Sequence, residues 1–303
     1  MTASADLKFE SVGGACLLCG GRTRRKLFTV SAAVLQECEA CSFRYFDPCL
    51  SSESMGHIYE SSEHLGERDS VHGGYYEYGD LEKPTKTLRD FERGLKLLEN
   101  GLGHPAKPSL FEIGFGSGLF LALAQKRGWA VDGLETSATN VELAKKKFGL
   151  SVRTGDLFRE PQTGAFDAAA AWDVLEHQSR PQDFLKQLRG LLKPGGMLLI
   201  AVPNDYSFLR LLSAFLYRLS FGKVTQGMRR VYVLEHIGYY SPKTLRRMLE
   251  TCGFKVEGGF LSSTDLDRYR FSPLEKLSAW LVLAAGKLLG LQNRLILVAR
   301  KSL

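Results

Sequence analysis

Between Leu110 and Leu119 the chain reads Leu-Phe-Glu-Ile-Gly-Phe-Gly-Ser-Gly-Leu, an apolar run that ends in alternating glycines and passes directly into a second apolar run. A buried strand followed by a helix accounts for both runs. Gly114, Gly116 and Gly118 let the backbone turn sharply between them and approach a ligand closely, with Phe115 held in the same turn. Such a turn belongs to a parallel sheet that binds its ligands at the carboxyl ends of its strands.

The flanking pattern agrees. Strands are expected at Ser109–Ile113, Ala130–Leu134, Ser151–Thr154, Phe166–Trp172, Met197–Val202, Phe254–Leu261 and Arg294–Arg300. Helices are expected at Thr85–Asn100, Leu119–Arg127, Ala138–Phe148, Pro181–Leu192 and Pro242–Thr251, with a turn at Lys193-Pro194-Gly195-Gly196. Strands separated by helices imply an α/β fold: a Rossmann-like, mostly parallel sheet covered by helices on both faces. The 303 residues suggest about two domains. With 44% hydrophobic and 24% charged residues, disordered and bulk-membrane classes drop out. The division expected is a small domain over 1–52, a linker or lid over 53–83, and the α/β domain over 84–303 with helical inserts at 205–235 and 265–291.

Four of the six cysteines form two C-x2-C pairs, Cys16 with Cys19 and Cys38 with Cys41, separated by eighteen residues. The N-terminus has no basic region followed by an apolar run, so a reducing cytoplasm is expected, and disulfides are disfavoured there. Two such pairs match a zinc ribbon, because each aims two sulfurs at one tetrahedral metal. Four sulfurs leave no position for water, so the zinc expected is structural. Cys49 and Cys252 stand apart and read as packed thiols.

The glycine loop alone does not choose between a dinucleotide and another cofactor. Leu119 stands where G-x-G-x-x-G would place its third glycine, and Glu112 ends the strand before the loop. A carboxylate there repels a pyrophosphate and attracts an ammonium or sulfonium group. Glu135 ends the second strand, where an acid can accept both ribose hydroxyls, and Asp156 follows the third, within reach of an adenine amino group.

With these features the chain resembles the class I S-adenosylmethionine-dependent methyltransferases. The resemblance runs through Phe111-Glu112-Ile113-Gly114-Phe115-Gly116-Ser117-Gly118, Asp173-Val174-Leu175-Glu176-His177 and Leu192-Lys193-Pro194-Gly195-Gly196, and covers about Pro84 to Arg300. It reaches the N-terminus too, since Cys38 to Pro48 looks like the zinc-binding preface of some of these enzymes, sugar-modifying ones included, with Ser42 where relatives often have glycine. It implies a seven-stranded sheet with an antiparallel final strand. It also implies that Glu112 serves the methionine amino end, Glu135 with Thr136 the ribose, and Asp156 with Leu157 the adenine. Trp172 and Asp173 would line the pocket near the methionine.

Methyl transfer from a sulfonium needs a base only when the acceptor has a proton to lose. His177 and His236 are the two candidates, each also readable as a packing residue. Tyr75-Tyr76 and Tyr239-Tyr240 could shape an acceptor pocket or simply pack. Two apolar segments, Tyr206–Phe221 and Trp280–Leu291, are read as paired helices making a lid or homodimer surface, or as a peripheral membrane contact that receives a lipid-linked acceptor. Arg210, Arg218, Lys223, Arg229 and Arg230 beside the first also suit a phosphate-bearing acceptor.

The activity expected is therefore methylation of a small molecule or a glycan or sugar-nucleotide precursor, with a lipid-linked or quinone-type acceptor at a membrane surface as the alternative. A nucleotide-dependent oxidoreductase is disfavoured by Glu112. A zinc-ribbon adaptor with a degenerate cofactor domain is disfavoured by the three strand-end acids. The net charge of +7 is spread along the chain, and no nucleic-acid partner is expected.

Overall fold

The computed structural model describes residues 7–51, 53–55, 81–269 and 271–302. The N-terminal part consists of β1 (Phe9–Glu10), β2 (Arg24–Val30), β3 (Ala33–Cys38), β4 (Arg44–Phe46) and β5 (Cys49–Leu50). Most of the linker expected at 53–83 lies outside the described residues, as do Tyr75 and Tyr76.

The α/β part opens with helix α1 (Lys86–Leu102). Thr85 caps it by accepting from the Leu88 amide, Gly103 ends it in the left-handed region, and Leu88, Leu95 and Leu98 form its buried stripe. There follow β6 (Ser109–Ile113), α2 (Leu119–Lys126), β7 (Ala130–Glu135), α3 (Ala138–Phe148), β8 (Arg153–Thr154), β9 (Phe166–Trp172), α4 (Pro181–Leu191) and β10 (Leu192–Pro203). The insert holds α5 (Phe208–Leu219), α6 (Gln226–Val231) and β11 (Gly238–Tyr239), followed by α7 (Pro242–Thr251), β12 (Phe254–Ser262), α8 (Pro273–Leu288) and β13 (Arg294–Lys301).

Seven strands form one sheet in the order β12-β13-β10-β9-β6-β7-β8. The last strand, β13, runs antiparallel to both β10 and β12, while β10, β9, β6, β7 and β8 are parallel. The central strand β9 alternates its alanines between faces. Ala168 and Ala170 meet the core beneath α1 and α2, while Ala169 and Ala171 meet the core beneath α4 and α7. Small side chains there let both helical layers approach the sheet, and all four are fully buried.

Two expectations shift. The Lys193–Gly196 segment is not a turn that separates helix from strand. It is a bulge within β10, whose pairing with β9 begins at Leu192 opposite Phe166 and resumes at Met197. The third strand is also shorter than its apolar run, because Ser151 and Val152 lie outside β8.

The N-terminal part is joined to the main one by backbone. β11 pairs antiparallel with β4, so the small sheet runs β11-β4-β3-β2 and one of its strands comes from the insert. An isolated bridge from Tyr240 to Asn204 then ties the end of β11 to the end of β10.

Candidate active site

Glu112, at the end of β6, is 2% exposed, and its Oε2 has no hydrogen-bond partner among the described residues. Burial, with Glu135 adding to it, holds this carboxyl well above the ordinary glutamate range. An unpartnered buried acid is costly unless something pairs with it, and a cation is the group that would. Glu135 is held differently. Its Oε2 accepts from the Gly116 amide at 2.9 Å, while its Oε1 accepts from the amides of Thr136 and Ser137 at 2.8 and 3.1 Å and from the Thr136 hydroxyl. It therefore fixes the glycine loop and keeps one lone-pair position on Oε2 for a ribose hydroxyl.

The loop is a cradle. Gly116 adopts a φ of +54°, and a side chain placed there would meet nothing within 4 Å among the described residues. Gly118, at +80°, has the opposite reason for being glycine: a Cβ would lie 2.8 Å from Leu150 and 2.9 Å from Ala144, and α2 could not seat on its neighbours. Phe115 packs behind the loop, 6% exposed. At the end of β8 the Asp156 carboxylate accepts from the Phe158 amide at 3.0 Å and stays exposed, while Leu157 is buried. Trp172 lies deeper, edge-on to Phe91 and Phe120 with centroids 4.7 and 5.3 Å away, and its indole N–H has no partner among the described residues.

Across the sheet edge two carboxylates are paired with arginines. Asp173 has a φ of +57°, uncommon for any residue but glycine, and its carboxylate takes both oxygens' bonds from Arg294 at 2.9 and 3.0 Å. Arg294 was not legible as a site residue. Its only signal is topological, since an antiparallel last strand brings its first residue to the edge where the others end. Asp205, buried, accepts from Arg44 of the ribbon at 3.1 Å, from Arg210 at 3.2 Å and from the Tyr232 hydroxyl at 3.2 Å. Arg210 also lies over the rings of Tyr232 and Tyr239.

The two histidines meet, although 58 residues separate His177 from Glu235, the neighbour of His236. Their rings are edge to face with centroids 4.7 Å apart. His177 Nδ1 lies 2.7 Å from the carbonyl oxygen of Glu235, so Nδ1 donates its proton to that oxygen. Burial, followed by the positive charges of His177 and Arg210, holds His236 well below the usual histidine range, so it is neutral at pH 7. Glu176 completes the group, 1% exposed with neither oxygen partnered among the described residues; burial and then Asp173 raise its carboxyl well above the usual range. One ligand atom from each of Glu176, His177 and His236 lies within 4.8 Å of the others, a set that could hold a cation or pass a proton. Tyr239 and Tyr240 are buried; Tyr239 lies beside His236 with ring centroids 6.2 Å apart, and Tyr240 packs on Phe43.

The ribbon reaches this group through single hydrogen bonds. The Ile237 amide donates to the Glu176 carbonyl at 2.7 Å, and the Phe46 amide donates to the Ile237 carbonyl at 2.9 Å. The four cysteine sulfurs lie within 4.8 Å of one another, with Cys16 to Cys41 at 3.5 Å and Cys19 to Cys38 at 3.6 Å. A tetrahedron of thiolates about 2.3 Å from a zinc ion has edges of about 3.8 Å, so the donor set fits that metal. Burial pushes Cys16 up to about 11 and Cys41 higher still, and a central cation is what would ionise them. Cys49 and Cys252 are buried and lie outside this set of four.

Residues 87–258 match the family described as Methyltransferase domain. The mouse mitochondrial ubiquinone biosynthesis O-methyltransferase is 27% identical over 205 residues, which are 62% of this chain and 54% of that protein. The Caulobacter vibrioides ubiquinone biosynthesis O-methyltransferase is 30% identical over 103 residues, 32% of this chain and 41% of that one. The chain thus spans about half the length of the curated relatives it matches. Among solved structures, the 4+2 cyclase SpnF superposes with a TM-score of 0.51 at 20% identity, covering 84% of this chain and 97% of that one. This likeness speaks for the fold alone. With the fold, the glycine loop and the family match together, the chain belongs to the S-adenosylmethionine-dependent methyltransferases.

Proposed function

We propose that this protein transfers the methyl group of S-adenosylmethionine to a hydroxyl on an apolar, lipid-linked ring of the quinone-precursor type. The observation that carries the reading is the contact between His177, in the turn after β9, and His236, just before β11. A pair of imidazoles there suits an acceptor that must lose a proton, as a phenol or catechol hydroxyl does and a tertiary amine does not. The names of the relatives support the quinone-type acceptor over the glycan or sugar-nucleotide precursor that the basic insert suggested.

The bound cofactor supplies an activated methyl group. Glu112 would meet its ammonium end, Gly116 would admit it closely, and the remaining lone pair of Glu135 would receive the ribose. Asp156 and Leu157 would border the adenine. His177 is oriented by the Glu235 carbonyl so that Nε2 can take the acceptor proton, with His236 beside it to share the charge. Tyr239 and the ribbon strand hold both rings in place and keep water from their rear. Zinc bound by Cys16, Cys19, Cys38 and Cys41 would stabilise that strand and take no part in the chemistry.

The test is methyl transfer from labelled S-adenosylmethionine to a catechol bearing an isoprenoid tail, to the same catechol without the tail, and to a nucleotide sugar. Label is expected in the catechol oxygen, most efficiently with the tail. Label in the nucleotide sugar alone would overturn the proposal.

A further inference from the structure

The insert between β10 and β11, and the helix before β13, leave an unusual amount of apolar surface in water. Leu211, Phe215 and Leu219 are exposed at i, i+4 and i+8 on α5, and Leu274, Leu277 and Leu281 at i, i+3 and i+7 on α8. Phe221, just past α5, is 93% exposed. The two helices are neighbours. The Phe208 amide donates to the Leu291 carbonyl at 2.9 Å, and Gly286 allows the close approach, since a Cβ there would lie 3.3 Å from Phe208. Soluble surfaces rarely leave apolar stripes of this kind unpartnered.

Charge chooses the occupant. Residues 206–231 contain Arg210, Arg218, Lys223, Arg229 and Arg230 and no acidic residue, and all of these but the buried Arg210 are exposed. From α8, exposed Lys276 and Lys287 add to them against one exposed acid, Glu275, which lies within the field of Arg230. A second copy of the same surface would bring like charges together, whereas an anionic bilayer matches both the basic groups and the apolar stripes. No helix among the described residues is long and apolar enough to cross a membrane, so the contact would be interfacial. Both ends of the insert return to the site: Asp205 precedes α5, and His236 follows α6.

The geometry points to α5, the loop after it and α8 as a docking face for anionic lipid surfaces, set beside the acceptor side of the site. The inference deepens the reading of a lipid-linked acceptor and rests on it. Flotation with vesicles of phosphatidylcholine, with and without phosphatidylglycerol, tests it with no acceptor present. Binding is expected only with the anionic lipid, and should weaken about fivefold for each of Arg229 and Arg230 changed to glutamine. Phe215→Asp with Leu281→Asp should abolish it while S-adenosylmethionine affinity stays as in wild type, which shows that the fold survives. Absence of binding to any vesicle would overturn the proposal. So would a dimer in sedimentation that the double aspartate variant dissolves while vesicle binding persists. Turnover of the tail-free catechol is measured in parallel, so failure to dock can be told from failure of the methyl-transfer reading.

Discussion

The two halves of the sheet's carboxyl edge differ in how many of their acids are matched within the chain. On the β6 and β7 side, Glu112 is buried with its Oε2 unpartnered, and Gly116 meets open space, among the described residues. On the β9 and β10 side, Asp173 is matched by Arg294 and Asp205 by Arg44 and Arg210, and the buried acid left unpartnered among the described residues, Glu176, lies with His177 and His236. An unmatched acid beside an open loop is a place prepared for a cation, whereas matched ion pairs hold a wall in shape. The cofactor half thus awaits its charge from a ligand. The acceptor half receives its order from the rest of the chain, the ribbon included.

The largest effect should come from the ribbon. Cys38→Ser is expected to drop bound zinc from about one per chain toward none and to remove methyl transfer, because β4 no longer supports Ile237 and the Glu176 turn. Metal analysis and turnover read this, and S-adenosylmethionine affinity should be the property least altered. Equal loss of cofactor affinity would join the two halves into one unit and break the comparison.

Next come the histidines. Replacing the acting base by glutamine should lower turnover by roughly 10²–10⁴-fold at unchanged cofactor affinity. Glutamine in place of the partner ring should cost less, and thermal melting distinguishes a packing loss from a chemical one. Turnover unchanged in both His177→Gln and His236→Gln would leave alignment as the whole mechanism.

A smaller effect belongs to Glu135→Ala, which removes the carboxylate that pins the Gly116 amide as well as the ribose acceptor. Cofactor binding should weaken by roughly 1.5–3 kcal/mol, as for hydrogen bonds to a charged group. An unchanged dissociation constant would show the loop to be held without it.

The smallest is a pH effect. Glu112 binds its proton more tightly folded than unfolded, so it contributes stability that is complete below about 4.5, its ordinary value, and is lost as pH rises through its raised value. Glu176 adds in the same direction. His236, lowered instead, contributes stability above 6.5 that is lost as pH falls. In Glu112→Gln the decline of melting temperature with rising pH should be shallower than in wild type; identical slopes would place the buried charge elsewhere.

The cofactor half was legible because its groups lie next to strand ends in sequence. Glu112, the glycines, Glu135 and Asp156 each follow from a strand, a turn and a residue type within a few positions. The acceptor half is assembled across the chain, and periodicity carries no register for such contacts. Arg44 reaches Asp205 across 161 residues and Tyr232 across 188. His177 and His236 stood as competitors in the sequence, and the bonds from the Ile237 amide to the Glu176 carbonyl and from His177 to the Glu235 carbonyl make them neighbours. The ribbon motif gave four cysteines whose sulfurs lie within 4.8 Å of one another, but nothing local to it announced that β4 would pair with β11 of the insert.

The most direct test of the unmatched acid is calorimetric titration of the protein with S-adenosylmethionine and with NAD, in two buffers of different ionisation enthalpy. A cation entering beside Glu112 should bind more tightly than NAD and should release a proton, since the carboxyl ionises on pairing; that release should vanish in Glu112→Gln. Tighter binding of NAD, or S-adenosylmethionine binding with no proton released by the wild type, would contradict the account.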